Sequence, residues 1–210
     1  MSRKVLQKDW LKNRAEFTKD SLLIKDHQVM QRWEVPYMKE LAQVVTSKGG
    51  HILELGFGLG ISAGFIQSSR SIEKHTIIEA HPDVVNYAFG LFPNPIKNGR
   101  MSILQGFWED ISPLLKDSSF DGIFFDTCPL DQETVFFHFL PFFKEAHRLL
   151  KDGGVFTYFS DEPKEISPKH LNFLKKAGFS KIDFKTCNVK PPKHCHYWNY
   201  NTIVVPIIHK

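Results

Sequence analysis

A glycine-rich stretch, residues 51–62, constrains this chain more than any other feature, and it reads His-Ile-Leu-Glu-Leu-Gly-Phe-Gly-Leu-Gly-Ile-Ser. Its apolar first half, residues 52–55, predicts a short buried strand, and the apolar-periodic stretch from Ile61 predicts a helix. Between them lie Gly56, Gly58 and Gly60. Glycine permits a tight turn and lets the backbone approach a ligand without a Cβ atom in the way. This order predicts a site for a nucleotide-like cofactor; a glycine-rich loop without function is the alternative.

The spacing of the glycines separates this turn from a dinucleotide site. A dinucleotide fingerprint, G-x-G-x-x-G, ends in glycine or alanine, and this chain has Ile61 there. The pattern instead begins at Glu54 and places a glycine at Gly56, Gly58 and Gly60. It resembles the first motif of the class I methyltransferases, which implies S-adenosylmethionine as the cofactor.

Predicted strands and helices alternate along the rest of the chain. Further strands are predicted at 75–79, 101–105, 120–125, 155–160, 181–189 and 199–208. The alternation and the final strand pair predict an α/β fold, a Rossmann-like, mostly parallel sheet with one antiparallel strand and helices on both faces. A chain of 210 residues is expected to form one domain with a full core.

The segments before the glycine turn are less regular. Residues 3–26 are charged, and their composition favours a flexible tail over a lid that docks through its aromatic residues. Residues 27–47 predict a helix, in which Pro36 predicts a break near Val35.

Three other connections are also predicted from composition. Prolines 93 and 95 predict a loop. The phenylalanine-rich residues 132–150 predict a core helix, and the two glycines within 151–154 predict a turn.

Acidic residues recur where predicted strands end, and strand carboxyl ends line the ligand crevice in this fold. Glu79 closes a strand about 20 residues after the glycines, where an acid can accept hydrogen bonds from both ribose hydroxyls. Trp108 and Glu109 follow the third strand and could hold an adenine ring, and Asp126 ends the fourth. The alternatives are an ordinary acidic strand end and a surface loop. Glu34, beside the predicted helix break, either faces this crevice or is a solvated charge.

Longer segments resemble the guanidinoacetate N-methyltransferase family. They are Val29 to Met38, Ser47 to Gly50 and Phe120 to Thr127. The likeness runs from about residue 10 to residue 160 and more loosely to the end. Residues 78–84 also resemble fungal arginine δ-N-methyltransferases. The resemblance implies one methyltransferase domain over residues 1–210, with residues 1–26 as a lid. The implied activity is methyl transfer to guanidinoacetate, giving creatine, or to a related small guanidine.

The resemblance also implies site residues. Glu34 and Asp126 would grip the guanidinium, with Asp126 as the main proton acceptor and Glu34 as the orienting partner. Trp10 would contact both substrate and cofactor. The implied cofactor residues are Trp10, Met30, Met38, Gly56, Phe57, Gly58, Leu59, Gly60, Ile61, Ser62, Glu79, Ala80, His81, Trp108 and Glu109.

One segment departs from the family pattern. Asp161 and Glu162 stand where the vertebrate guanidinoacetate enzymes have a longer insertion whose backbone receives the substrate carboxylate. These acids would repel a carboxylate unless Lys164 compensates. Free arginine and protein arginine therefore stay open as substrates. A catalytically silent methyltransferase fold, acting as a binding module, is the alternative from another class.

Composition bears on partners and location. The net charge is +4 without a run of five basic residues, so no nucleic-acid partner is expected. Three cysteines without framework spacing favour a reduced, cytoplasmic setting. No stretch reaches the ~18 apolar residues of a membrane span, so no membrane partner is expected. Cys187, His194, Cys195 and His196 do not have zinc-site spacing, so no metal is expected. A monomer and a homodimer both stay open.

Overall fold

The computed structural model describes residues 2–25, 27–130 and 139–210. The chain opens with helix α1 (Arg3–Lys12) and a small antiparallel sheet in the order β1-β2-β3. These strands are β1 (Ala15–Phe17), β2 (Ser21–Ile24) and β3 (His27–Gln31). Alternate residues of β2, Leu22 and Ile24, are buried, which ties the sheet to the core. The predicted flexible tail is therefore wrong.

The predicted helix over 27–47 is wrong over residues 27–31, because they form β3. A 3₁₀ turn (Arg32–Glu34) follows, and helix α2 (Val35–Val45) begins directly after it. Pro36 lies in the first turn of α2, where no backbone N–H is needed. The predicted break near Val35 is confirmed.

The central sheet has seven strands in the order β6-β5-β4-β7-β8-β10-β9. Strand β10 runs antiparallel to both β8 and β9, and the other pairings are parallel, so the predicted sheet with one antiparallel strand is confirmed. The strands are β4 (Gly50–Leu55), β5 (Ile72–Glu79), β6 (Met101–Gln105), β7 (Phe120–Phe125), β8 (Leu150–Tyr158), β9 (Lys181–Asn188) and β10 (Thr202–His209).

The connections complete the α/β layers. The helices are α3 (Ile61–Ser68), α4 (Pro82–Leu91), α5 (Pro93–Lys97), α6 (Trp108–Ile111), α7 (Phe142–Leu149) and α8 (Pro168–Ala177), with a 3₁₀ turn at Ser112–Leu114. The predicted loop at prolines 93 and 95 is instead the short helix α5. The part of the predicted helix 132–150 that falls on 131–138 lies outside the described residues, and α7 forms the remainder.

The predicted turn at 151–154 is wrong, because β8 already begins at Leu150. The register against β7 shifts between Phe120 and Gly122, and Gly153 adopts φ +78°. An irregularity of this kind lets a strand continue through residues that would otherwise end it.

The sheet separates two apolar clusters. Successive strand residues point to opposite faces, so Phe124 packs with α2 while Phe125 packs with α7. Burial of one such side chain stabilises the fold by about 1.5–3 kcal/mol.

The strand order reverses next to β4, whose neighbours are β5 and β7. In open α/β sheets, ligands bind beyond the carboxyl ends of the strands at such a reversal. Gly56 follows β4 there, and Asp126 follows β7.

Candidate active site

A cavity of about 920 Å³ lies at this reversal. The small N-terminal sheet and α1 line one part of it, and the carboxyl ends of β4, β5, β6, β7 and β8 line the rest. Of the residues predicted to form the site, those that line the cavity are Trp10, Met30, Glu34, Gly56, Phe57, Gly58, Glu79, Ala80, Trp108, Glu109 and Asp126. The segments before and after the glycine turn therefore contribute to one space.

Gly56, the residue after β4, lies close to the backbone of Asp126, the residue after β7. It adopts φ +87°, and a Cβ atom there would lie 1.9 Å from the backbone oxygen of Asp126. The N–H of Gly56 donates to the carbonyl of Ile78 at 2.9 Å, and the N–H of Asp126 donates to that of Leu55 at 2.9 Å. A side chain at Gly56 would separate Asp126 from the glycine turn.

Met30 packs on the glycine turn from the N-terminal sheet. A Cβ atom on Gly58 would lie 2.7 Å from the Met30 sulfur, and the N–H of Leu59 approaches the same sulfur at 3.2 Å. The N-terminal sheet therefore covers the turn directly.

Glu79 joins the glycine turn to the connection after β5. Its Oε2 accepts from the N–H of Phe57 at 2.9 Å, and its Oε1 accepts from the N–H of His81 at 2.8 Å. Burial raises the pKa of Glu79, and these backbone donors oppose the shift. The carboxyl is thereby held in one orientation at the cavity wall.

Trp108 and Glu109 lie under the first turn of α1. Arg3 forms an ion pair with Glu109, and its guanidinium lies 6.0 Å from the centroid of the Trp108 ring. Within the described part of the chain, Glu109 Oε2 is buried without a hydrogen-bond partner. Burial raises the pKa of Glu109, and the charge of Arg3 opposes this shift.

The N-terminal segment is also fixed at the start of α4. The His81 ring nitrogen Nε2 donates to the carbonyl of Asn13 at 2.7 Å, while Nδ1 accepts from the N–H of Asp83. The N–H of Ala15 donates to Asp83 Oδ2 at 3.0 Å. Trp10, 9% exposed, packs edge-on against the same His81 ring.

Glu34 is 2% exposed and lines the cavity. Its Oε1 accepts from the N–H of Gln31 and from the hydroxyl of Tyr197, both at 2.6 Å. Burial and the nearby charge of Asp126 raise the pKa of Glu34 to about 8, although these two hydrogen bonds oppose the shift. Among the described residues, Oε2 of Glu34 has no hydrogen-bond partner, so it is available to a ligand.

Asp126 and Asp161 bring two more carboxyls to the cavity wall. Burial raises the pKa of Asp126 to about 7, with the charge of Glu54 as a further cause. Burial and the charge of Asp126 raise the pKa of Asp161 to about 7. A cation bound beside these carboxyls would favour their ionised forms and lower the raised pKa values.

Six predicted site residues are not among those that line the cavity: Met38, Leu59, Gly60, Ile61, Ser62 and His81. Met38 is fully buried in the core. Ser62 donates to the buried Glu54, whose other oxygen lies 2.9 Å from His75 Nε2. Gly60, at φ +70°, caps α3.

The residues missed by sequence reasoning lie mainly in the loop before β10. His196, Tyr197 and Trp198 line the cavity, and Arg3 does so from α1. A run of aromatic side chains between prolines and a strand was the available signal. It gave no indication of contact with residue 34, because 163 positions separate Tyr197 from Glu34.

Within the described ranges, no group of three or more His, Cys, Asp or Glu side chains could hold a metal ion. Cys128, Cys187 and Cys195 are free thiols. None of the described helices is long and apolar enough to cross a membrane.

The fold and the cavity define a class I S-adenosylmethionine-dependent methyltransferase. A crystal structure of spermidine synthase with the transition-state analogue AdoDATO aligns with a TM-score of 0.67 and 14% identity, over 93% of this chain and 72% of that one. M. jannaschii TYW2 in complex with AdoMet aligns with a TM-score of 0.59 and 15% identity, over 93% and 84% of the two chains. Identities this low establish the fold alone.

The sequence model of guanidinoacetate N-methyltransferase matches residues 3–210, and the chain belongs to that family. Protein arginine N-methyltransferase 2 of Saccharomyces cerevisiae is 32% identical over 205 residues, which cover 93% of this chain and 46% of the relative. The Candida glabrata protein of the same name is 33% identical over 164 residues, covering 72% and 37%. The chain thus spans less than half of these relatives.

Proposed function

We propose that this protein transfers a methyl group from S-adenosylmethionine to a guanidino nitrogen. The substrate is guanidinoacetate, giving creatine, or a related small guanidine. The observation that supports this most is the pair Glu34 and Asp126, a buried and a half-buried carboxyl from distant parts of the chain that line the same cavity as the glycine turn. Neither forms an ion pair with a described residue.

A guanidinium matches this pair chemically. It is a planar cation with a fork of N–H donors, and it stays protonated at neutral pH. Charge-assisted hydrogen bonds from such a fork to two carboxylates fix both its position and its plane. A bound guanidinium also favours the ionised forms of Glu34 and Asp126, whose pKa values are raised chiefly by burial.

Two cations must meet in this cavity, the guanidinium and the sulfonium of the cofactor. At ~4 Å and an effective dielectric constant near 20, their repulsion is about 4 kcal/mol. Glu34 and Asp126 offset it, and Asp126 accepts the proton that leaves the nitrogen as the C–N bond forms. Oε1 of Glu34 is held by Gln31 and Tyr197, so Oε2 orients the substrate.

The residues present fit the cofactor. Gly56, Gly58 and Phe57 would accept its methionyl part, Glu79 its ribose and Trp108 its adenine. The buried, partnerless Oε2 of Glu109 suits an exocyclic amino donor. When bound, the cofactor supplies an electrophilic methyl group. We also propose that residues 1–26 act as a lid, with Trp10 and Met30 closing over the cofactor and Met38 supporting them from the core.

Arginine, free or in a protein, is a second candidate substrate. The relatives at 32–33% identity, which are named protein arginine N-methyltransferase 2, favour it. The chain covers 37% and 46% of the length of these two relatives.

A mass-spectrometric assay tests the proposal. The purified chain is incubated with labelled S-adenosylmethionine and, separately, with guanidinoacetate, arginine, an arginine-containing peptide and an amine without a guanidine. We expect a label-dependent gain of one methyl group on a guanidine and none on the amine. Cofactor binding without methylation of any guanidine would support the silent binding module instead.

A further inference from the structure

Asp161 adds a carboxyl beside Glu34 and Asp126 in the cavity, whose lining also includes Glu79 and Glu109. It follows β8 and lines the same cavity as Glu34 and Asp126. The charge of Asp126 contributes to its raised pKa, and the charge of Asp161 in turn contributes to that of Glu34. The three side chains therefore act on one another electrostatically.

Hydrogen bonds fix the residues directly before and directly after Asp161. Ser160 is fully buried, its N–H donates to the Tyr37 hydroxyl at 3.2 Å, and its Oγ donates to the carbonyl of Val204 at 2.8 Å. On the other side, the carbonyl of Glu162 accepts from the N–H of Val204 at 2.8 Å. Asp161 lies between these anchors at φ +54°, a conformation that aspartate and asparagine tolerate better than most residues. Its place at the cavity wall is fixed by the fold.

The Asp161 carboxyl forms no hydrogen bond or ion pair with a described residue. The nearest lysine in sequence, Lys164, is exposed. Among the described residues, Glu34, 2% exposed in the same cavity, has no hydrogen-bond partner at Oε2. The buried Glu34 and the half-buried Asp161 therefore line the cavity with unused acceptor capacity, and each is suited to a donor on a ligand.

The charges in the cavity indicate how Asp161 affects the choice of substrate. With Glu34, Asp126 and Asp161 ionised, these three side chains carry three negative charges, apart from Glu79 and from Glu109, which pairs with Arg3. The guanidinium and the sulfonium compensate two of them. A substrate with a carboxylate adds a fourth negative charge, whereas a substrate with an amine balances the third.

On the basis of the proposed function, we propose that Asp161 is a specificity-determining residue. Among the small guanidines of the proposed function, it selects one whose substituent carries a second positive charge over one whose substituent carries a carboxylate, guanidinoacetate included. Trp198, 6% exposed at the same cavity wall, offers an aromatic surface that is compatible with a cationic substituent.

Three guanidines of equal length test the inference: 4-aminobutylguanidine, butylguanidine and 4-guanidinobutyrate, whose ends are cationic, neutral and anionic. We expect kcat/KM to fall in that order, with the cationic and anionic substrates differing by on the order of 10- to 100-fold. In Asp161→Asn, which keeps the backbone conformation, this ratio should fall at least about tenfold. Glu165→Gln removes an exposed charge from the same connection and should leave the ratio unchanged.

Calorimetric binding of S-adenosylmethionine checks that the variants are folded, and Asp161→Ser replaces the asparagine variant if that one does not fold. Preference for any guanidine without a second positive charge, guanidinoacetate and peptidyl arginine included, would overturn the inference and leave the proposed function standing. An unchanged ratio in the Asp161 variant would also overturn it. Absence of methylation of every guanidine would instead refute the proposed function.

Discussion

The hydroxyl of Tyr197 donates to Oε1 of Glu34 at 2.6 Å, so the loop before β10 controls a carboxyl at the opposite end of the chain. This bond opposes the upward shift of the pKa of Glu34, and it leaves Oε2 as the oxygen that a substrate can use. Trp33 stacks obliquely on the Tyr197 ring at 5.8 Å, which keeps the phenol in place.

Tyr197→Phe removes that donor and keeps the ring. A hydrogen bond to a charged group contributes about 1.5–3 kcal/mol, so kcat/KM for the guanidine should fall about tenfold or more. The pKa of Glu34 should also rise further. The exposed Tyr200 provides a control from the same loop, and Tyr200→Phe should leave the kinetics unchanged. Wild-type kinetics in both variants would show that the hydroxyl of Tyr197 does not assist the reaction.

Substrate binding should depend on pH. The pKa values of Glu34 and Asp126 are raised to about 8 and about 7 in the free protein, and a bound guanidinium favours their ionised forms. Affinity should therefore increase as pH rises, by up to about tenfold per pH unit for each proton released, and level off above pH 8. Calorimetry in buffers of different ionisation enthalpy measures the released protons. Release of no protons at pH 6.5 would contradict this prediction.

The raised pKa values of Glu34 and Asp126 also make the stability of the free protein depend on pH, and stability should decrease as pH rises. Because the folded-state pKa values of Glu34 and Asp126 lie above their unfolded values, the folded state binds more protons between about pH 4 and pH 8. Their contribution to the free energy of unfolding is fully present below the unfolded pKa values and is lost as pH rises through the folded ones. The free energy of unfolding, measured by urea denaturation, should fall more steeply with pH in the wild type than in Glu34→Gln over this range. An equal dependence on pH in the two proteins would show that the pKa of Glu34 is not raised in the free protein.

Gly56→Ala places a methyl group 1.9 Å from the Asp126 carbonyl at φ +87°. Overpacking and backbone strain together should destabilise the fold by roughly 2–4 kcal/mol and weaken cofactor binding. Gly99 has a similar φ of +77° with no heavy atom within 4 Å of the added Cβ. Gly99→Ala should therefore cost only about 1–2 kcal/mol. Chemical denaturation of both variants measures how much stability is lost to the contact with Asp126 and how much to the positive φ alone. Equal losses of stability in the two variants would argue against the contact.

Arg3→Ala tests the proposed lid. The ion pair of Arg3 with Glu109 is partly exposed, so its loss should weaken cofactor binding about two- to fivefold and leave global stability nearly unchanged. Lys4→Ala, on the exposed side of the same helix, is the control. Unchanged cofactor affinity in Arg3→Ala would show that α1 does not act on the bound cofactor.

The central sheet could be predicted because its signals are local. Short apolar strands ending in glycine or acid, such as 52–55 and 120–125, specify both their own structure and the edge where their ends meet. Glu79 and Asp126 could be placed at the crevice on that basis. The mostly parallel sheet and its one antiparallel strand follow from the alternation of elements and the final strand pair.

The N-terminal region could not be predicted in this way. Its structure depends on contacts across 68 to 106 positions, such as His81 with Asn13 and Arg3 with Glu109, which composition does not encode. Residues 27–31 are too few to distinguish a strand from the start of a helix by periodicity. The partnership of Tyr197 with Glu34 was missed for the same reason.

The pairing of Glu34 and Asp126 around a guanidinium is tested most directly by Asp126→Asn, measured for both cofactor binding and methyl transfer to the guanidine that the wild type prefers. We expect S-adenosylmethionine to bind within about threefold of wild type, because Asp126 is not proposed to contact the cofactor. We expect kcat to fall by at least about 100-fold, the contribution of a positioned proton acceptor. Methylation by Asp126→Asn at near wild-type rate would contradict the account.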